Sequence, residues 1–444
     1  MVSYEQALER SKTYFEGNEM AANVFLGKYA LKHPETGEIL EPTPELMHRR
    51  LAKEFARIEQ KYANPLSEEE IFAYLDQFKY IIPQGSPMAG IGNPYQVMSI
   101  SNCFVLPAPY DSYGGILKTD QEQAQIMKRR GGVGFDISTI RPRGLRTANA
   151  AQTTDGIGVF MERFSNTCRE VAQGGRRGAL MLTISVHHPE IRTFIHIKEN
   201  LKKVTGANIS IRLSDEFMNA VKDNKEVQLR FPVDSTDPSI SEFVDANELW
   251  TEIIGAAHKS AEPGLLFWDT IMDNCTANVY PTFKTVSTNP CGEITLSPYD
   301  SCRLLLVNVL SFVDKPFTKL SHFDWATYSK VVSVAQRLMD DVVDLELECI
   351  DKILAKITAD PEPEDVKKIE LDLWIRIRDA CVFGRRTGLG LTGVGDMLAA
   401  LGMCYGDENS LRFVEHVYRE LCMNSYKTSI VMAEERGAFP EFNL

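Results

Sequence analysis

Cys291 sits in the run Ser287-Thr288-Asn289-Pro290-Cys291-Gly292-Glu293-Ile294, where a proline and a glycine flank the thiol. That flanking predicts a tight turn or loop tip rather than regular structure. Asn289 and Glu293 stand two residues to either side, so in an extended turn an amide, a thiol and a carboxylate can converge on one small ligand. A carboxylate beside a thiol disfavours the thiolate, which suits a protonated thiol more than a thiolate nucleophile. The plainer alternative is a buried cysteine in a turn, because free cysteine is among the most buried residue types. Two further thiols weigh against it. Cys103 opens the strand-like run Cys103–Leu106, and Cys302 opens another, eleven positions after Cys291. If those strands are neighbours in a barrel, their starts bring both thiols within disulfide reach near the Cys291 loop. One radical or acid thiol and a reducing dithiol would then share a site.

The elements that must position these residues are read from periodicity. The first hundred residues are predicted to be helical: Thr43 precedes Pro44 at a first helical position, and Leu51, Phe55, Ile58 and Tyr62 follow at helical spacing. Ser67 with Glu70 three residues on forms a capping box. From about Ser101 the texture changes. Short apolar runs, Cys103–Leu106, Ala179–Ser185, Asn208–Ile211, Gly264–Trp268 and Leu304–Val307, alternate with helical patterns over Gly156–Ala172, Glu190–Ile197, Ser214–Val221 and Leu249–Ser260. Strands separated by such helices imply crossover connections and a largely parallel sheet buried on both faces, hence an α/β barrel or a doubly wound sheet. The boundary between the two textures falls near residues 85–100.

Composition narrows the function classes. With 48 basic against 61 acidic side chains the net charge is −13, which argues against a sequence-independent nucleic-acid binder. No run of apolar residues is long enough to span a membrane and no apolar segment follows the acidic N-terminus, so a cytoplasmic protein is expected. Nine scattered cysteines, an odd count, favour thiols over a disulfide scaffold, and none has zinc-site spacing. His187, His188 and His196 read as packing around a helix start rather than as metal ligands. The glycine-rich run Arg129–Asp136 precedes a β-like segment instead of opening a helix, so it fails as a dinucleotide fingerprint and reads as a tight turn feeding a strand. In Gln173–Ala179 three glycines surround two arginines, a cationic loop suited to anions. The glycines of Arg385–Gly393 read as sites of close backbone packing.

Taken in order, from about residue 4 to the last, these motifs resemble the catalytic large subunit of ribonucleotide reductases, and the Asn289-x-Cys291-x-Glu293 loop is their most specific element. The resemblance implies an α/β fold: a ten-stranded α/β barrel, partial in this chain, with a helical N-terminal lobe at 1–95 and a barrel domain at 96–444 lacking its C-terminal strands. It implies that Cys291 forms a transient thiyl radical that abstracts the ribose 3′-hydrogen. Glu293 is then the base at the 3′-hydroxyl, and Asn289 hydrogen-bonds the ribose hydroxyls. Cys103 and Cys302 become the pair that reduces the 2′ carbon and ends as a disulfide. Ser86 and Asn102 fall at substrate-binding positions. Asp111, Arg141 and Arg146 fall at positions that bind a deoxynucleoside triphosphate effector, and Gln173 and Arg177 on the loop linking effector to substrate.

The same resemblance carries cofactor and partners. The stretch Phe25–Pro42 is similar to adenosylcobalamin-dependent members, and the alternative is a radical drawn from a separate di-metal subunit. The implied partners are a ribonucleotide di- or triphosphate, the effector, a thioredoxin-like reductant, a second copy in a homodimer and a C-terminal half chain; no resident metal, membrane or nucleic acid is implied. Two readings compete with a reductase: one half of a split enzyme, and a catalytically silent nucleotide-binding regulator. The presence of Cys103, Cys291, Cys302, Asn289 and Glu293 argues against the silent module, which has no need of a dithiol.

Overall fold

The computed structural model describes residues 2–171 and 178–443. They cluster into two compact units: Met1–Asn102 with Cys302–Lys356 and Cys381–Leu444, and Cys103–Ser301 with Ile357–Ala380.

In the first unit the helix starts follow their signals. Pro44 opens Pro44–Glu59, and Ser67 caps Glu68–Leu75 in a reciprocal box with Glu70. Tyr62, expected to continue the first of these helices, lies beyond its end. The apolar stripe of Leu51, Phe55 and Ile58 packs into one core with Leu305, Val307, Tyr328, Val331, Leu338 and Val342, so the N-terminal helices share their interior with residues from far along the chain. Leu304–Asn308 is a strand, as expected, but it does not join the parallel set. It pairs antiparallel with Ile81–Pro83 and parallel with Gly388–Thr392. Its alternating burial marks a one-sided position, which an apolar run alone does not reveal. A Cβ on Gly388 would stand 2.6 Å from the Arg303 carbonyl oxygen, and one on Gly390 2.9 Å from Leu306, so these glycines do admit close packing.

A buried ionic cluster ties the helices of this unit together. Arg436 donates to Glu59 at 2.5 Å and to Asp340 and Asp341 at 2.8 Å each. Arg337 donates to both oxygens of Glu59, and Arg385 joins Asp340 to Asp344. Glu59 and Asp341 are fully buried.

The second unit is built on parallel strands in the order Cys103–Val105, Gly132–Asp136, Leu180–Ser185, Asn208–Leu213 and Gly264–Phe267. The connecting helices include Ile157–Glu170, Ile191–His196 and Ala246–Ser260. Tyr299 and Asp300 exchange backbone bonds with Val105 alongside the first of these strands, at 2.8 and 3.1 Å. Trp268, read from sequence as the end of a strand, instead opens the helix Trp268–Asn274, and its ring receives the Arg212 guanidinium at 3.8 Å. An antiparallel hairpin, Glu226–Phe231 with Ile240–Asp245, was not foreseen. Its first strand is buried on alternate residues only, a weaker signal than the continuous apolar runs. His187 bonds the Gln228 carbonyl and the Ser214 hydroxyl, and His188 bonds the Ile140 carbonyl; burial pushes both imidazoles below their ordinary range, His188 to about 4. Among the described residues no group of three or more His, Cys, Asp or Glu could hold a metal, and no helix is long and apolar enough to cross a membrane.

Candidate active site

The Cys291 segment is the tip of a small hairpin. Ser287–Thr288 pairs antiparallel with Thr295–Leu296, leaving six residues to turn. Asn289 N–H donates to the Ile294 carbonyl at 3.1 Å, and Gly292 N–H closes the turn on the Asn289 carbonyl at 3.1 Å. Asn first, Pro second and Gly fourth is the sequence preference of a type I turn, and Gly292 takes the positive φ of +82° that lets the chain return. The Asn289 side chain holds the turn from inside, its Oδ1 accepting Ile294 N–H at 3.2 Å.

The parallel sheet makes room for this hairpin by omitting side chains. A Cβ on Gly134 would stand 1.9 Å from the Thr288 carbonyl oxygen, and one on Gly132 2.8 Å from the Pro290 ring. The two glycines alternate along one strand, so both face the hairpin. The glycine-rich run that reads as a turn feeding a strand is itself strand from Gly132 to Asp136, and its glycines admit a backbone arriving from more than 150 residues away. Polar contacts fix the hairpin to the neighbouring strands. Thr183 Oγ1 donates to Asp136 at 2.9 Å and lies 3.2 Å from the Ser287 hydroxyl, while Arg212 pairs with Asp136 at 3.1 Å. Asn208 donates from Nδ2 to the Pro290 carbonyl at 2.8 Å. No periodicity pointed to Asp136, Thr183 or Asn208, because each acts through a partner distant in sequence.

Within this turn the predicted residues divide. Asn289 is fully buried, and its Nδ2, like the Thr288 hydroxyl, has no hydrogen-bond partner among the described residues. A buried donor left unmade costs about 1–3 kcal/mol, so such an atom calls for an acceptor from outside, such as a ligand hydroxyl or water. Cys291 and Glu293 are exposed. Both side chains stand at the tip of a hairpin whose base rests on the glycine strand, which accounts for their exposure.

The other substrate positions lie in the first unit. Ser86 falls in the helix Gly85–Gly90, whose Gln84 makes no side-chain cap, and Asn102 Oδ1 accepts Ser86 N–H instead, at 3.0 Å. Ser86 Oγ and Asn102 Nδ2 are both buried without partners among the described residues. Three of the sequence-predicted substrate residues therefore each carry an orphaned polar atom. The segment before Cys103 is held by Glu346, which accepts from Ser99 Oγ at 2.5 Å, Ile100 N–H at 2.7 Å and Ser101 Oγ at 3.0 Å. Burial pushes the Glu346 carboxyl up while Arg303 pulls it down. Asn102 N–H donates to the Cys302 carbonyl at 3.0 Å. Cys302 closes the short strand Ser301–Cys302 rather than opening Leu304–Asn308, and both Cys103 and Cys302 are buried.

A second cleft, of about 220 Å³, opens beside Asp111 and Arg141 in the second unit. Arg141 grips Asp111 with its backbone N–H at 3.0 Å and its Nε at 2.6 Å. Thr147, Asn149, Tyr113 and Phe160 line the same cleft, none of them singled out from sequence. Arg146 contributes its carbonyl, which accepts from Arg141 at 3.1 Å, and its side chain is exposed. Gln173 and Arg177 lie outside the described residues.

Comparison with known proteins identifies the family. A family model described as the barrel domain of ribonucleotide reductase matches residues 101–444. The chain is 32% identical over 428 residues to a vitamin B12-dependent ribonucleoside-diphosphate reductase of Mycobacterium tuberculosis (strain CDC 1551 / Oshkosh), covering 95% of this chain and 56% of that relative. It is 33% identical over 375 residues to the enzyme of the same description from Thermoplasma acidophilum, covering 84% and 44%. Similarity extends to the ribonucleoside-diphosphate reductase large subunit of variola virus, at 23% over 368 residues, 77% of this chain and 44% of that one. The chain spans about half the length of the curated relatives it matches. By the extent of these matches, it belongs to the ribonucleotide reductase large-subunit family and carries its barrel domain.

Proposed function

We propose that this chain supplies the radical thiol, substrate-binding groups and effector cleft of a ribonucleotide reductase. Residues 1–95 are the helical lobe in this reading. Residues 96–444 are a barrel domain whose ten strands close only with the portion of the relatives outside the match. The observation that carries the proposal is the Asn289–Glu293 turn, seated on a glycine strand with a buried amide donor beside the thiol.

The chemistry follows from the residues. A thiyl radical on Cys291 takes the 3′-hydrogen of the ribose, and Glu293 accepts the 3′-hydroxyl proton as the sugar radical forms. Asn289 Nδ2 donates to a ribose hydroxyl and holds the ring against the turn. The 2′-hydroxyl leaves as water after protonation by one thiol of the pair Cys103 and Cys302. The second thiol hydrogen goes to C2′ as the pair supplies two electrons and becomes a disulfide, Glu293 gives its proton back to the 3′-oxygen, and Cys291 returns its hydrogen to C3′. Glu293 is aimed at charge that develops only after hydrogen abstraction, which lowers the barrier rather than merely tightening binding. A thioredoxin-like dithiol resets the pair for the next turnover.

The exposure of Cys291 fits an initiator that approaches from outside the chain. The vitamin B12-dependent relatives support adenosylcobalamin in that role, where it supplies a hydrogen-abstracting radical. The Asp111–Arg141 cleft is read as the site of a deoxynucleoside triphosphate, at the contact between two copies of the chain. The exposure of Cys291 and Glu293 also favours a half enzyme, with the complementary portion of the relatives as the roof of the site.

The test is conversion of CDP to dCDP by the chain combined with the C-terminal portion of the mycobacterial relative, with adenosylcobalamin and a dithiol. Turnover is expected, and Cys291→Ser should lower it more than about a thousandfold while leaving the fold intact. Turnover surviving in Cys291→Ser removes the radical assignment. Binding of dTTP without turnover by the combined chains would favour the silent regulatory module.

A further inference from the structure

We infer that Asn208 is a positioning residue for the Cys291 turn, an assignment that rests on the reductase reading and adds to it a residue outside the turn. The direction of the Cys291 side chain is set by the peptide that precedes it. Pro290 fixes its own φ near −65° through its ring, so beside φ of Cys291 itself the soft dihedral that aims the thiol is ψ of Pro290. That dihedral also sets where the Pro290 carbonyl points. Asn208 Nδ2 donates to this carbonyl at 2.8 Å, from the first residue of the strand Asn208–Leu213. On its other side the Pro290 ring lies against Gly132, where a Cβ would approach to 2.8 Å.

Pro290 is thus held at both ends, its ring by a glycine strand and its carbonyl by an amide. The hairpin's own bonds do not do this. Gly292 N–H to the Asn289 carbonyl, Asn289 N–H to Ile294, and Ile294 N–H to Asn289 Oδ1 all close the turn on itself. They leave it free to rock about its base as a unit. The bond from Asn208 ties the tip to the sheet from the side. A displacement of the reacting atom by about 1 Å can cost on the order of a hundredfold in rate, so a bond of this kind acts on chemistry more than on binding.

The test uses the chain as it is, with Asn208→Ala and Asn208→Asp. The aspartate keeps the shape but offers an oxygen where the carbonyl needs a donor. Iodoacetamide labelling of Cys291 is followed by peptide mass spectrometry, with the exposed Cys404 and Cys422 in the same molecule as references. Both variants should raise the labelling rate of Cys291 relative to Cys404 at least threefold, with the melting temperature unchanged within a few degrees. An unchanged or lowered ratio in both variants overturns the assignment, as does a rise at Cys291 matched by equal rises at the two reference thiols. In the combined reductase, kcat should fall at least tenfold with KM within twofold; a change in KM alone counts against positioning. If the wild-type combination shows no turnover, the reductase reading fails while the labelling result still decides whether Asn208 holds the turn.

Discussion

Two polar regions of this molecule are buried for opposite purposes. Around Glu59, Asp341 and Arg436, charged groups from several helices pair with one another at 2.5–2.8 Å, and only Asp341 Oδ2 and Arg436 Nε of these three side chains lack a hydrogen-bond partner among the described residues. At the Asn289 turn the hairpin is held by main-chain bonds, glycine clearances and neutral side-chain bonds such as that from Asn208, and the Asn289 amide donor is left unmatched among the described residues. Burying a charge is costly unless it is paired, and the first arrangement supplies opposite charges from within the fold. An unmatched neutral donor at the turn has a cost that an acceptor on another molecule relieves. Charge pairing within the fold therefore distinguishes a joint from a site, and burial alone does not.

The comparison can be broken most forcefully at its ionic side. Arg436→Ala leaves Glu59, Asp340 and Asp341 without their shared partner and should cost about 3–5 kcal/mol in denaturant unfolding, the usual result of stripping one member from a buried pair. A loss below about 1 kcal/mol would mean that the cluster relaxes into water. On the other side, Gly134→Ala forces a Cβ against the Thr288 carbonyl and should cost about 1–3 kcal/mol, with faster hydrogen exchange confined to residues 287–296. Exchange spread evenly over the unit would show that the hairpin is part of the core and not a separately held element.

The smallest effect concerns pH. Burial raises the Asp341 carboxyl well above its ordinary value of 3.8, Arg436 opposes the rise and Glu59 adds to it. The native state therefore keeps a proton that the unfolded chain gives up. Stability falls as pH rises from about 3.8 through the raised value, by at most roughly 1.4 kcal/mol per pH unit for one proton. In Asp341→Asn that component of the slope should vanish, as read by urea titrations across the acid range. An unaltered slope would assign the proton to another carboxyl.

Much of this architecture is written in local patterns. The capping box at Ser67, the proline at Pro44 and the apolar runs that become parallel strands are decisions of a few neighbouring residues. The site loop is legible for the same reason, since Asn, Pro, Cys and Gly spell a turn by their own backbone preferences. What could not be read is everything that depends on who arrives from elsewhere. Leu304–Asn308 looks like any other apolar run until its partners Ile81–Pro83 and Gly388–Thr392 are known. The exposure of Cys291 was unreadable too, because the thiol's type says buried while its place at a raised tip decides otherwise.

The glycines of the strand Gly132–Asp136 carry a consequence for anyone wishing to transplant this chemistry. They are a mould of the loop above them, a shape stored as missing atoms. A designer who grafted Asn289–Glu293 onto a sheet of ordinary valines and isoleucines would carry over every reactive group and still lose the cradle, so the hollow has to travel with the thiol.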